Sequence, residues 1–266
     1  MSHIFTIANQ KGGVGKTTTS VNLAASLATY DKRVLLVDMD PQGNATMGVG
    51  IDKNSLSQTV YEVLIGETDI DAALQANEVG GFDVLPANRD LTAAEVELLD
   101  LPARESRLGQ ALARVGGRYD YIIIDCPPSL SMLTVNAMVA CRGVIIPVQC
   151  EYYALEGLSD LVGTIQKIGK LLNPALRIEG ILRTMYDPRS SLTNEVTVQL
   201  HKYFGDRVYR TTIPRNIRLA EAPSFGLPAL QHDRHSKGAI AYLGLAGEII
   251  LRGKQVEPAG LRATGQ

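Results

Sequence analysis

Short apolar runs recur along the whole chain, at Ile4–Ala8, Val34–Val37, Phe82–Leu85, Tyr121–Ile124, Val144–Val148, Ile178–Leu182 and Val208–Ile213. Several are apolar at nearly every position and rich in Val and Ile, the pattern of strands covered on both faces. The segments between them carry helical spacing instead. Leu155, Leu158, Leu161, Val162, Ile165, Ile168, Leu171 and Leu172 fall three and four apart, one apolar stripe on a helix. Strands alternating with helices build a parallel sheet with right-handed crossovers and a helical layer on each side. The expected fold is therefore α/β: a single doubly wound domain, a mostly parallel twisted sheet with helices on both faces. No internal repeat, low-complexity tract or linker divides the chain, so one domain over residues 1–254 is expected. Residues 255–266 contain Pro258 and Gly260 without periodicity and are expected to form a flexible C-terminal tail.

The first strand runs into Asn9-Gln10-Lys11-Gly12-Gly13-Val14-Gly15-Lys16-Thr17-Thr18, and a helical segment follows. Strand, glycine loop, Gly-Lys-Thr and helix, in that order, are the context of the P-loop NTPase fold. Glycines let successive backbone N–H groups turn inward as an anion nest, and the helix adds its positive end. Lys16 can set an ammonium on the β/γ-phosphates, and the Thr17 hydroxyl can coordinate Mg²⁺. Lys11, Gly12, Gly13, Val14, Gly15, Lys16, Thr17 and Thr18 form the candidate nucleotide loop. Its spacing is unusual, because the first glycine of G-x-x-x-x-G-K-[ST] would fall at Gln10.

Two further strands end in carboxylates, and in a parallel α/β sheet ligands gather beyond the carboxyl ends of strands. Val34–Val37 leads into Asp38-Met39-Asp40-Pro41-Gln42-Gly43-Asn44. Side chains two apart on an extended segment share a face, so Asp38 and Asp40 are expected on one side. Tyr121–Ile124 leads into Asp125-Cys126-Pro127-Pro128-Ser129, a Walker B arrangement whose Asp125 holds Mg²⁺ directly or through water. Three cysteines without Cys-x-x-Cys spacing argue against disulfide staples and against a zinc or iron–sulfur site.

The run Lys-Gly-Gly-Val-Gly-Lys-Thr-Thr at residues 11–18 resembles the deviant Walker A loop of the ParA/MinD ATPases. Met185-Tyr186-Asp187-Pro188-Arg189, Ile213–Ser224 and Ser236-Lys237-Gly238-Ala239 resemble the chromosomal ParA (Soj) branch, so the likeness covers nearly the whole chain. The resemblance implies an ATPase with ATP and Mg²⁺ as cofactors and three catalytic residues, Lys11, Lys16 and Asp40. Lys11 would be the signature lysine that contacts phosphates bound by the opposite subunit of an ATP-dependent homodimer. Asp40 would position the attacking water. Asp38 would support the site and its metal beside Thr17 and Asp125. Pro214 and Arg215 would approach the adenine. The branch also implies nonspecific double-stranded DNA binding by the ATP-bound dimer, with Arg189, Arg215, Arg218 and Lys237 in or beside that surface. Its implied partner is a ParB (Spo0J) type protein and its role chromosome or plasmid segregation. One departure is local: His232-Asp233-Arg234-His235 stands where the branch often has Tyr-Asp.

Charge fits a nucleic-acid partner only in part. The formal net charge is −2, yet residues 177–254 hold 12 Lys+Arg against 7 Asp+Glu, a local excess of +5. The N-terminus has no basic n-region or cleavage site, and the apolar runs are far short of the ~20 residues that cross a bilayer. The expected location is cytoplasmic and nucleoid-associated. A ParA-like ATPase positioning another cargo would carry the same site. A MinD-like membrane ATPase would need a basic amphipathic C-terminal helix, which Pro258 and Gly260 spoil. An iron–sulfur reductase would need paired, flanked cysteines. The absence of an N-terminal helix-turn-helix extension disfavours the larger autorepressing plasmid proteins.

Overall fold

The computed structural model describes residues 2–256. Its first half runs β1 (His3–Ile7), α1 (Lys16–Thr29), β2 (Val34–Asp38), α2 (Asn44–Gly48), α3 (Val60–Ile65) and α4 (Ile70–Ala73). Next come β3 (Gln75–Asn77), β4 (Phe82–Leu85), α5 (Leu91–Glu97), α6 (Arg107–Val115), β5 (Tyr121–Asp125) and α7 (Met132–Ala140). The second half holds β6 (Gly143–Gln149), α8 (Ala154–Leu171), β7 (Arg177–Tyr186), α9 (Ser191–Phe204) and β8 (Val208–Pro214). It closes with α10 (Ile217–Glu221), α11 (Ala229–His232) and α12 (Lys237–Val256).

Among the described residues the strands form one eight-stranded sheet, ordered β3-β4-β2-β5-β1-β6-β7-β8. Every pairing is parallel except β3 with β4. The expected doubly wound α/β architecture is what forms. Alternate residues along each strand feed two separate apolar layers. Leu35, Val37, Ile122, Ile124, Ile146 and Val148 pack under α3, α6, α7, α8 and α9. Val34, Leu36, Tyr121, Ile123 and Ile145 pack under α1 and α12. This two-sided burial explains why the strands read as unbroken apolar runs rather than alternating ones.

Two expectations need correction. The apolar stripe of α8 holds through Ile168, but Leu171 and Leu172 are exposed, because the helix ends at Leu171 and the chain turns away. The C-terminal boundary falls later than 254, since α12 continues through Gln255 and Val256. The remainder of the expected tail, with Pro258 and Gly260, lies outside the described residues.

The winding places the site. After β1 the chain crosses to β2, moves outward to β4, and returns to β5, which inserts between β2 and β1. The second half is then built on the other side of β1. Loops leaving β1, β2 and β5 therefore emerge side by side at the carboxyl edge, where the direction of winding changes. Strand register is equally specific: Ile7 pairs with Asp125, and Asp125 pairs with Asp38.

Candidate nucleotide site

Gly15 caps α1 in a left-handed conformation, φ +89°, and Gly13 is also left-handed at φ +73°. These values cost little only without a Cβ, so glycine is what the turn requires. A Cβ added at Gly12 or Gly13 would meet no atom within 4 Å. The first turn of α1 has no capping side chain and no acidic residue. Its N–H groups and positive end are thus directed at an anion that the protein itself does not supply. The loop is anchored from behind, where Thr184 Oγ1 of β7 donates to the Val14 carbonyl at 2.8 Å.

A cavity of about 630 Å³ lies over this loop, walled by Gly12, Gly13, Gly15, Lys16, Thr17 and Thr18 on one side. Asp40, Pro41 and Gln42 from the β2 loop and Pro127–Ser129 from the β5 loop close it on the others. Lys16 is 7% exposed, and its Nζ donates to the Lys11 carbonyl at 3.2 Å. Burial lowers its pKa, partly offset by Asp125 and Asp40. A buried ammonium near a polar cavity is stabilised by an incoming phosphate.

Asp125 is fully buried, and its two oxygens accept from Thr17 Oγ1 at 2.8 Å and Ser20 Oγ at 2.7 Å. Burial, with the adjacent Asp38 carboxyl next, raises its pKa. Thr17 and Asp125 form the hard-oxygen set that Mg²⁺ prefers, with one carboxylate and room for phosphate and water ligands. The residues present therefore fit that ion.

Asp38 and Asp40 do not share a side, contrary to expectation. The strand ends at Asp38 and the chain folds back, so that the Asp40 N–H donates to the Asp38 carboxylate at 3.1 Å. Asp38 is fully buried behind the cavity, accepting from both the N–H (2.9 Å) and the hydroxyl (2.8 Å) of Thr46. Burial raises its pKa, and the Thr46 and Asp40 hydrogen bonds oppose that rise. Its oxygens thus tie down the β2 loop. Asp40 lines the cavity and accepts from the Gln42 N–H at 2.9 Å.

A second cavity of about 420 Å³ adjoins the first and is mostly apolar. Both are lined by Gly15, Thr18 and Met185. Pro214, Arg215, Ile217, Leu219 and Tyr242 also line the second. Met185, at the junction, has φ +48°, a conformation rare for a side chain of its size. An apolar chamber beside a glycine-rich one of mixed lining, with Lys16 and Asp40 in its wall, matches the two ends of a nucleoside triphosphate.

Lys11 sits apart from the phosphate loop's interior. It is 42% exposed and its Nζ forms an ion pair with Glu151 at 2.8 Å, in the loop after β6. The exposed Tyr152 and Tyr153 follow, edge to face.

The other cations lie beyond β7 and β8. Arg189 is 88% exposed and forms a double ion pair with Asp187, whose carboxyl it holds down at about 2, with a smaller effect from nearby Arg215. Arg218 bridges Glu221 at 2.8 Å and Asp233 at 3.3 Å. Lys237, exposed, starts α12 beside α10, where Gly238 abuts Leu219.

Comparison with known proteins accords with this geometry. A family model described as an AAA domain matches residues 2–178. The chain is 55% identical over 253 residues to the sporulation initiation inhibitor protein Soj of Bacillus subtilis, covering 95% of this chain and 100% of that one. The chain belongs to the Soj/ParA family of P-loop ATPases. It is also 50% identical to the chromosome partitioning protein ParA of Myxococcus xanthus, over 97% of this chain and 91% of the relative. A solved Mycobacterium smegmatis structure described as cobyrinic acid a,c-diamide synthase, with bound ATP analog and magnesium, superposes with a TM-score of 0.84. It is 39% identical and 96% of each chain is covered.

For this Soj/ParA-family chain, sequence reasoning missed Ser20, Thr46, Glu151 and Met185. Ser20 was accessible, since it stands three residues after Thr17 and therefore on the same helical face. Glu151 carries no local signal, because its neighbour at the site is remote in sequence, and Met185 stood only within a family motif with no role given to it.

Proposed function

We propose that this chain is an ATP-hydrolysing dimerisation switch that binds DNA nonspecifically as the ATP-bound dimer and drives chromosome or plasmid segregation with a ParB-type partner. The observation that carries it is the pair of lysines on one loop. Lys16 is buried toward the phosphate cavity, whereas Lys11 is half-exposed and ion-paired with Glu151. An exposed ion pair of this kind is worth little, about 0–1 kcal/mol, so Lys11 is readily given up to a triphosphate.

In this reading the base enters the apolar cavity beside Pro214 and Arg215, and the phosphates lie in the loop from Gly12 to Thr18. Thr17 and Asp125 hold Mg²⁺, with Asp38 fixing the loop behind; bound there, the ion would neutralise charge on the β- and γ-phosphates. Asp40 holds the attacking water. Lys11 crosses to the partner's nucleotide, as an arginine finger does, and each subunit completes the other's site. Hydrolysis removes the γ-phosphate that both lysines grip, the subunits part, and DNA is released. The protein works in the cytoplasm on the nucleoid.

Light scattering with ADP, ATP, and Asp40→Ala plus ATP, each with and without plasmid DNA, tests the scheme. A dimer confined to ATP, longest-lived in the variant and co-migrating with DNA, is the expected pattern; a monomer in every condition removes it. Lys11→Ala should bind ATP but remain monomeric. A dimer of that variant would show that Lys11 does not act across the subunits.

DNA binding through Arg189, Arg215, Arg218 and Lys237 has a further signature. Each phosphate contact contributes about −0.9 to the slope of log K against log salt. Four contacts per subunit in a dimer thus predict a slope of roughly −7, little dependent on base sequence. Binding that ignores salt, or that is equal with ADP and ATP, would contradict this reading.

A further inference from the structure

Gly50 and Gly226 meet backbone to backbone. A Cβ added to Gly50 would stand 2.9 Å from the Gly226 carbonyl oxygen, and one added to Gly226 would stand 2.7 Å from the Gly50 Cα. Both residues are left-handed, with φ of +86° and +64°. The contact joins two segments that are far apart in sequence and different in chemistry.

Gly50 closes the segment that carries Asp40. The Gly43 N–H donates to the Asp40 carbonyl, α2 follows, and its end is sealed by Gly50 N–H to Met47 and Ile51 N–H to Thr46. Thr46 in the middle is bound to Asp38. So α2 is a short strut, with Asn44 at the phosphate cavity and Gly50 at its far end. Gly226 closes the 3-10 turn Ala222–Phe225 just after α10, through its N–H to Pro223. That segment is in turn tied to α1, where Asn22 Oδ1 accepts from the Ala229 N–H at 2.8 Å. A cavity of about 230 Å³ remains between α1, α2 and the turn, bordered by Val21, Met47, Pro223 and Leu227. The strut is therefore held at its far end by the glycine contact while part of its α1 side is open.

We propose that Gly50 and Gly226 are positioning residues for hydrolysis: their contact sets the height of α2, and through it the Asp40 loop above the phosphates. This rests on the reading of Asp40 as the group that holds water. A displacement of about 1 Å at a reacting group can cost on the order of a hundredfold in rate. An added methyl group at 2.7 Å from backbone forces one of the two segments to shift, and α2 is the one that carries the displacement to the Asp40 loop.

The test is steady-state hydrolysis of ATP by Gly226→Ala without DNA, so that it does not depend on the DNA reading. Gly81→Ala is the control: it is also left-handed (φ +73°), but an added Cβ there meets Ala28 Cβ at an ordinary 3.7 Å. Gly226→Ala is expected to lower kcat roughly tenfold or more with KM for ATP within about twofold. Gly81→Ala is expected to lose thermal stability while kcat stays within about twofold. An unchanged kcat in Gly226→Ala, or a loss shared equally with nucleotide affinity, overturns the proposal.

A second variant covers the case in which Gly226→Ala fails to fold. A Cβ on Gly48 would lie 3.8 Å from Pro223 Cβ, the usual separation across a disulfide, about 3.8 Å. Gly48→Cys with Pro223→Cys can therefore be locked, and the native Cys126, Cys141 and Cys150 are buried. The oxidised form should hydrolyse ATP within about twofold of its reduced form. Loss of turnover on oxidation would mean that the segments separate during the cycle, and the proposal falls. Normal turnover by Asp40→Ala would instead remove the Asp40 reading, and leaves the glycine result to be read separately.

Discussion

Lys16→Ala is expected to weaken ATP binding by about 2–5 kcal/mol, roughly 30-fold to several-thousand-fold in Kd. The cost is large because the phosphates would enter a cavity stripped of its buried cation, where water reaches poorly and loop N–H groups alone remain. The same substitution should not unfold the protein. Burial pushes the Lys16 pKa down, and its Nζ donates to the Lys11 carbonyl at 3.2 Å. For a lysine whose folded pKa is depressed, the charged form destabilises the fold below that pKa, so removing it at pH 7 relieves that cost. Calorimetric titration with ATP and a thermal melt of the nucleotide-free protein separate the two effects. Affinity within tenfold of the parent would show that Lys16 does not grip the phosphates.

Asp40→Ala should leave ATP affinity within about threefold and lower kcat by about 10²–10⁴, the usual contribution of a positioned acid–base group. The geometry favours a rate effect over a binding effect. Asp40 is 8% exposed, faces the cavity, and is oriented by the Gln42 N–H. A carboxylate there repels the phosphates, so its removal should not weaken their binding. Single-turnover hydrolysis beside equilibrium binding is the deciding measurement. Unimpaired turnover would move the catalytic role elsewhere on the loop.

Much of this was legible in the residues because it is local. The Gly-Lys-Thr loop needs about ten consecutive residues, and strands buried on two faces read as apolar runs whatever their neighbours are. What could not be read depends on register and on distant segments. The edge strand Gln75–Asn77 has no apolar alternation and exists because β4 offers it an open side. Asp38 and Asp40 were expected on one face, and the hydrogen bonds to Thr46 and the fold-back after β2 separate them. Glu151 lies 140 residues from Lys11, and no spacing rule connects the two. Pro214 and Arg215 were reached through family likeness rather than through any pattern of their own.

The ladder between β2 and β5 works as a gauge for both chemistry and sorting of side chains. Sliding β2 by one residue would set Val37 opposite Asp125 and send Leu35 to the layer that Leu36 now fills, everting the strand. A lineage of such proteins therefore cannot adjust its acidic pair by insertion within that strand. Evolutionary tuning of turnover is channelled into the loops beyond it, where length can change without turning the interior inside out.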